Sequence, residues 1–346
     1  MIKGLSNQPF FICFIALVFE ALFWHLSVMK MKPFGQREIR LAMLGMVDGN
    51  GHPYSWSAMF NGYDKEAMAS CPFAGIPVYL GKEPASALCI PGAKVTHIWT
   101  DDPADAPLVA KASLIPNVVN KPEDVIGQVD AVIVATDKGH EHVARCRPFI
   151  EAGLPVFVDK PLVDNAIDLK IMMEWEQRGT GLMSSSCMRY AKEFLPYRLS
   201  THELGELRYA SITTPKSWER YGIHALEGIY PILGPGFETV QNTGTLDRNV
   251  VHLKHRRGVD CTVIANKDMY GAFGVLQLCG TAGHANVALG DTFFAFKSQL
   301  EAFIAYLRTG IRPFPFEHTV ELMKIVIAGI VSREQGGRVV RVEEIG

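Results

Sequence analysis

The sequence predicts an α/β protein in two parts: a parallel α/β half that opens like a dinucleotide-binding unit, then an α+β half built on antiparallel strands. Three observations predict this architecture. A short apolar strand at residues 39–44 runs into a glycine-containing loop. Two apolar runs, 131–135 and 156–158, flank a helical segment, as buried parallel strands joined by a crossover do. After residue 206 the strand-helix rhythm gives way to long alternating runs.

The composition is that of a globular protein. Of 346 residues, 48% are hydrophobic and 20% are charged, and 34 Lys and Arg nearly balance 36 Asp and Glu, for a net charge of −2. This balance gives no reason to expect nucleic acid as a partner. The seven cysteines are dispersed, without a Cys-x-x-Cys or a zinc-type spacing, so we expect reduced thiols and no metal site.

Residues 1–35 are treated as an N-terminal extension outside the fold. Residues 10–28 are nearly all apolar, interrupted by Glu20 and His25, which fits a signal peptide or a membrane anchor. A misassigned start codon, with the chain beginning at Met29 or Met31, fits equally well. We therefore expect a cytoplasmic protein, or a periplasmic or membrane-anchored one if the segment is genuine. A membrane partner is expected only in that last case.

The loop after the first strand is suited to a cofactor phosphate. Gly45, Gly49 and Gly51 lie between the strand and a helical stretch at 55–60. Glycines let the backbone approach a pyrophosphate at the start of a helix. The spacing is not Gly-x-Gly-x-x-Gly, however, so an ordinary flexible loop is an equal alternative.

The second strand, 95–100, ends at two carboxylates and follows an apparent insertion at 62–93. Asp101 at this edge would accept hydrogen bonds from the hydroxyls of an adenosine ribose, which favours NAD over NADP. Equally, Asp101 and Asp102 would cap a helix at 103–111. A short strand at 117–119 and a short helix at 122–126 lead to the central segment.

The central segment, residues 130–161, organises the chain. Thr136 and Asp137 end its first apolar run, and Asp159 ends the second. These side chains therefore lie at the carboxyl ends of parallel strands, where open α/β sheets bind ligands. Lys160 places an amine at the same edge, next to the φ-restricted Pro161.

The rest of the chain is predicted to form one more helix and strand, followed by an antiparallel sheet with helices. The first two elements are a helix at 165–177 and a strand at 182–184. The predicted antiparallel strands are 206–213, 249–255, 259–266 and 272–279, and the predicted helices are 224–233, 292–309 and 316–334. The active cleft is expected between the two halves.

Four short motifs occur in order along the chain. They are Ala135-Thr136 with His140 just beyond, Gly153-x-Pro-Val-Phe-Val-Asp159-Lys160-Pro161, Arg189-Tyr190, and Gly222-Ile223-His224. Together they resemble the Gfo/Idh/MocA family of NAD(P)-dependent oxidoreductases from residue 39 to the C-terminus. The second motif resembles the family's Glu-Lys-Pro signature, with Asp in place of Glu.

The resemblance implies a Rossmann domain at 36–163 and a C-terminal α+β domain at 164–346 with an open, mostly antiparallel sheet. It implies an enzyme that transfers a hydride between NAD, ahead of NADP, and a carbinol carbon of a sugar, cyclitol or related compound. It also implies a homodimer or homotetramer joined through the C-terminal sheet. Two alternatives stay open: a non-catalytic or regulatory cofactor-binding protein, and an NAD-dependent lyase or glycosidase that uses transient oxidation.

The resemblance also implies roles for particular residues. Lys160 would hydrogen-bond the reacting hydroxyl, and His224 would transfer the proton. The cofactor-binding residues would be Gly45, Gly49, Gly51, Asp101, Thr136, His140, Asp159 and Lys160, and the substrate-binding residues would be Arg189, Arg220 and Tyr221. The chain departs from the family in its stretched glycine loop, which carries Asp48, and at Arg220, where the family usually has Asp. An Arg cannot act as a base, but it can bind a carboxylate or phosphate.

Overall fold

The structure, a computed structural model, describes residues 31–346. The predictions for residues 10–28 therefore lie outside the described residues. Within residues 31–346, no helix combines the length and the apolar character that crossing a bilayer requires.

Six parallel strands form the first sheet, in the order β3-β2-β1-β4-β5-β6. They are β1 (Ile39–Leu44), β2 (Ala93–Trp99), β3 (Asn117–Val118), β4 (Ala131–Val134), β5 (Val156–Val158) and β6 (Leu182–Ser184). This is the Rossmann strand order, and the predicted dinucleotide-binding fold is confirmed. The order reverses between β1 and β4, so the crevice at their carboxyl ends is where such a fold binds its ligand.

The helices of this domain follow the strands. They are α1 (His52–Asn61), α2 (Lys65–Ala69), α3 (Gly75–Leu80), α4 (Asp105–Ala112), α5 (His142–Glu151) and α6 (Ala166–Gln177). The predicted insertion at 62–93 contains α2 and α3. The first sheet also continues past residue 163, where the sequence analysis divides the chain, because β6 pairs in parallel with β5.

Seven strands form the second sheet, in the order β12-β11-β7-β10-β9-β8-β13. They are β7 (Leu207–Pro215), β8 (Phe237–Asn242), β9 (Arg248–His255), β10 (Val259–Asn266), β11 (Val275–Gly280), β12 (His284–Ala288) and β13 (Val340–Arg341). The central pair β7 and β10 is parallel and the other pairs are antiparallel, which confirms a mostly antiparallel sheet. The sequence analysis does not predict β8, β12 or β13.

Four helices accompany this sheet: α7 (Leu195–Leu199), α8 (Ile223–Leu233), α9 (Thr292–Thr309) and α10 (Phe316–Glu334). Alternate residues of the central strands, such as Leu253 and Val263, share one buried core with α8 and α10. In contrast, α9 packs against the first sheet, where the ring of its Phe303 lies 5.3 Å from that of Phe157 on β5. The two domains therefore share an apolar core on one face of the first sheet.

Candidate active site

Lys160 lies where the two domains meet and carries a buried positive charge. It is 2% exposed, and its Nζ lies 3.5 Å from Oδ2 of Asp137, which follows β4. Arg220 of the C-terminal domain donates to the other Asp137 oxygen at 2.5 Å. Burial alone would raise the pKa of Asp137, but Lys160 and Arg220 hold it at about 2. Burial likewise opposes charge on Lys160, yet Asp159 and Asp137 raise its pKa above the ordinary value, so the amine stays protonated.

Asp159 fixes the loop after β1 to the end of β5. It is fully buried, and its Oδ2 accepts from Asn50 Nδ2 at 3.0 Å and lies 2.7 Å from His52 Nδ1. Its Oδ1 accepts from the backbone N–H of Lys160 at 2.7 Å. Both oxygens are engaged by the protein, so Asp159 positions Lys160 and the loop. The direct contact of Asp159 with a cofactor stays a prediction.

A π-helical turn, Trp218–Gly222, leads into α8 and is anchored by its first residue. Trp218 is fully buried and its Nε1 donates to the Val326 carbonyl at 2.8 Å. A Cβ on Gly222 would come within 2.5 Å of the Trp218 ring, so the turn packs without room for a side chain there. Such π turns occur frequently at functional sites.

Tyr221 lies on this turn between two amines. The Nζ atoms of Lys160 and Lys216 lie 4.6 and 4.3 Å from the centroid of its ring, a cation–π geometry. Lys216 also donates to the Tyr221 hydroxyl at 2.8 Å. The backbone of Lys216 has φ +61°, a conformation that costs energy for a non-glycine residue and that clusters at functional sites.

His224, the second residue of α8, faces the same ring. It is 2% exposed, its Nδ1 lies 2.6 Å from Ser186 Oγ, and its ring packs edge-on at 4.7 Å from Tyr221 and 5.0 Å from Phe273. Burial, together with Lys160, lowers the pKa of His224 well below 6.5, so the imidazole is neutral near pH 7. Because Ser186 engages Nδ1, Nε2 is the nitrogen left to exchange a proton with a substrate.

The glycine loop and Asp101 form the other end of the candidate site. Gly45 has φ +89°, and a Cβ there would lie 2.6 Å from Cγ2 of Thr136, so the close approach of β1 and β4 requires glycine. Asp101 Oδ2 accepts from the Met46 backbone N–H at 3.0 Å, which fixes the carboxylate beside the loop. The loop leads into the N-terminus of α1, where backbone N–H groups favour an anion.

Two cations of the C-terminal domain hold the tip of this loop. Lys216 Nζ donates to the Gly49 carbonyl at 3.0 Å, and Arg220 donates to the Asp48 carbonyl at 3.2 Å. Gly49 has φ +74°, the left-handed conformation that favours glycine. The Asp48 residue is exposed, so its carboxylate need not face a phosphate bound inside the loop.

Residues 74–184 match the family model Gfo/Idh/MocA, described as an oxidoreductase family with an NAD-binding Rossmann fold. The resemblance to this family is confirmed over these residues. Two solved structures are similar along almost the whole chain. The apo scyllo-inositol dehydrogenase of Lactobacillus casei has 14% identity and a TM-score of 0.70 over 90% of this chain and 100% of that chain. The myo-inositol 2-dehydrogenase of Lactobacillus plantarum has 15% identity and a TM-score of 0.70 over 88% and 99%. At these identities the similarity shows the fold.

One curated relative matches a shorter stretch. The UDP-kanosamine synthase oxidoreductase subunit of Amycolatopsis mediterranei is 27% identical over 111 residues. The match covers 32% of this chain and only 31% of the relative. The family description agrees with the predicted oxidoreductase class and NAD-type cofactor over the matched residues 74–184.

The residues present fit such a dinucleotide. The loop at Gly45 is a cradle that a Cβ would fill, and Asp101 stands at the end of β2, where a ribose is bound in this fold. Thr136 Oγ1 is buried and has no hydrogen-bond partner among the described residues, so it is free to bond a ligand. Gly51 allows close packing against Phe73, since a Cβ there would come within 2.5 Å of the Phe73 ring.

Two predicted site residues lie elsewhere. Arg189 is buried in an ion pair with Glu227 on α8, and its guanidinium lies 4.0 Å from the Phe314 ring centroid. It is a core residue rather than a substrate contact, because the turn after β6 directs its side chain into the C-terminal domain. His140 is mostly exposed, with Nδ1 3.1 Å from Asp164, at the rim of the cleft.

Sequence reasoning missed three contributors to the site. Ser186 ends the Ser184–Ser186 run after β6, and its place at the end of a parallel strand was an available signal. Asn50 and Lys216 carried no signal, because their contacts with Asp159 and with the Gly49 carbonyl join segments far apart in sequence.

Proposed function

We propose that this protein is an NAD-dependent dehydrogenase that exchanges a hydride with a carbinol carbon of a sugar, cyclitol or related polyol. The observation that carries the proposal is the placement of Lys160 and His224 on the same ring, Tyr221, from opposite domains. One similar structure holds NAD(H) and scyllo-inositol, which supports a polyol substrate. The sequence alternatives, a non-catalytic binder and a lyase or glycosidase, gain no support from the comparisons.

Two side chains, Lys160 and His224, are proposed to act on the reacting hydroxyl of the substrate. When bound, the nicotinamide supplies hydride exchange. Lys160 donates to the reacting oxygen and stabilises its negative charge as the hydroxyl loses its proton. His224, neutral and held through Nδ1 by Ser186, accepts that proton on Nε2. The neutral form in which burial holds His224 is the form that accepts a proton when an alcohol is oxidised.

Tyr221, Lys216 and Arg220 are proposed to face the rest of the substrate. An aromatic ring suits the apolar face of a sugar or cyclitol. The Arg220 Nε is buried and has no partner among the described residues, so the guanidinium keeps donor capacity beyond Asp137 and the loop carbonyl. A hydroxyl, carboxylate or phosphate of the substrate would satisfy it.

Turnover of a polyol panel tests the proposal. Protein is mixed with NAD⁺ and, one at a time, scyllo-inositol, myo-inositol, aldoses and sugar acids, and NADH formation is followed under single-turnover conditions. His224→Ala and Lys160→Ala should each lower the rate by roughly 10²–10⁴-fold, the effect of losing a positioned acid or base. Their effects should be less than additive in the double variant. His202→Ala and Lys267→Ala, both at exposed positions, are the matched controls.

The outcomes separate the possible functions. Stoichiometric NADH with an oxidised product supports a dehydrogenase. Product without net NADH would indicate transient oxidation by a lyase or glycosidase. NADH binding without turnover of any compound would indicate a binding protein, and near-wild-type rates in His224→Ala would remove His224 from the mechanism.

A further inference from the structure

An arginine stands beside the carboxylate that was expected to select NAD. Arg145, on α5, reaches the end of β2, where its NH2 lies 2.6 Å from Oδ1 of Asp101. The same guanidinium is held by Glu141, through Nε at 3.0 Å and NH2 at 2.7 Å to Oε2. Its NH1 would lie 3.3 Å from a Cβ on Gly45, so the cation sits over the first glycine of the loop.

Arg145 also borders a small cavity at the ends of β1, β2 and β4. This space of about 110 Å³ lies under the end of β2 and is lined by Leu44, Trp99, Pro122, Glu123 and Arg145 among others. Arg145 is 21% exposed and Asp101 is 32% exposed at the side chain, so both charges are partly accessible to solvent. A ribose bonded to Asp101 would have its 2′ position beside this guanidinium.

The negative charge of Asp101 and the positive charge of Arg145 favour different cofactors. A carboxylate at this edge accepts the 2′-hydroxyl of NAD and repels the 2′-phosphate of NADP, whereas an arginine binds that phosphate. Here one cation is shared between two carboxylates, which leaves a net charge of about −1 at the ribose position. Asp101 can still accept a ribose hydroxyl, because each carboxylate oxygen has more than one acceptor site.

We propose that Arg145 determines the choice between NAD(H) and NADP(H), and that Asp101 and Glu141 hold it in a state that favours NAD(H). Removal of the Asp101 charge frees the guanidinium for a 2′-phosphate. The inference rests on the dinucleotide site of the proposed function, and it concerns a residue that the family resemblance does not implicate. The sequence analysis considered only Asp101 at this edge, because Arg145 is 44 residues away along the chain.

Direct titration with NADH and NADPH, followed by cofactor fluorescence, tests this in a double-mutant cycle. The wild type should bind NADH more tightly. Asp101→Ser should raise the affinity for NADPH relative to NADH by at least about ten-fold, the lower end for a hydrogen bond to a charged group. Arg145→Ala in the Asp101→Ser background should cancel that gain. Arg147→Ala is the matched control, because it removes a cation from the same helix that pairs with Glu151 instead, and it should leave the ratio unchanged.

A second variant covers the case in which Asp101→Ser does not fold. Glu141→Gln keeps Asp101 and removes one of the two carboxylates that hold Arg145, so it should also shift the ratio toward NADPH. Equal NADPH affinity in Asp101→Ser with and without Arg145, or an unchanged ratio in Glu141→Gln when Asp101→Ser cannot be purified, would overturn the proposal. Binding of neither nucleotide to the wild type would overturn it together with the proposed function. Binding of NADH without turnover of any polyol would count against the proposed function alone.

Discussion

Replacing Asp137 with Asn should cost this protein about 2 kcal/mol of stability at neutral pH. Asp137 is 1% exposed and lies between Lys160 and Arg220, so its charge is countered on both sides. These partners lower its pKa from 3.8 to about 2. At 1.36 kcal/mol per unit, the shift corresponds to roughly 2.4 kcal/mol favouring the charged carboxylate in the folded protein. Asn keeps the shape and loses this term, which leaves two cations with one counter-ion fewer.

Urea unfolding at pH 7 measures this loss. Because the folded pKa of Asp137 lies below its unfolded value, the contribution is complete above about pH 4 and disappears as the pH falls toward 2. The difference between the wild type and Asp137→Asn should therefore shrink in acid. Asp247→Asn removes a carboxylate from an exposed pair with Lys267 and is the control. A loss in Asp137→Asn no larger than in the control would refute the reasoning.

Three further predictions concern catalysis and assembly. For alcohol oxidation, the acid limb of kcat/KM should lie below pH 6.5, because burial and Lys160 lower the pKa of the base His224; a limb centred at about pH 7 or above would contradict this role. Arg220→Ala should mainly raise KM, since Arg220 is proposed to bind substrate and takes no part in proton transfer; steady-state kinetics with an unchanged KM and a reduced kcat would argue for a different role. The homodimer or homotetramer implied by the resemblance stays a prediction. The outer face of the second sheet, where it would form, mixes the apolar Val250 and Ile264 with the polar Lys254 and Thr262. Light scattering that finds a monomer at micromolar concentration would exclude this assembly.

The parallel half was predictable because its signals are local. Strands buried on both faces are continuous apolar runs, and the bounds of β1, β5 and β6 agree with the patterns read from the sequence. The parallel pairing of β7 with β10 could not be read in this way, since pairing is a contact between segments that 43 residues separate. The same limit explains the position of α9, whose amphipathic pattern marks a buried face without stating which sheet buries it.

The candidate site has the same limit: local patterns predict some of its residues, but contacts between distant segments cannot be predicted in this way. This limit explains why the role of Arg220 could not be inferred from the sequence. Lys160 and His224 were identifiable because each follows or opens a regular element at a predictable edge. The groups that they contact come from other segments: Asp137 beside Lys160 also binds Arg220, 83 residues away, and Ser186 is 38 residues from His224. Taken alone, Arg220 in place of the family's Asp looks like the loss of a catalytic carboxylate. With Asp137 beside it, the position keeps a carboxylate next to Lys160, supplied by the other domain, and gains a cation that reaches the Asp48 carbonyl. Lys216 donates to the adjoining Gly49 carbonyl, so the C-terminal domain contacts the glycine loop directly. A substitution on one side of the cleft should therefore affect the other side.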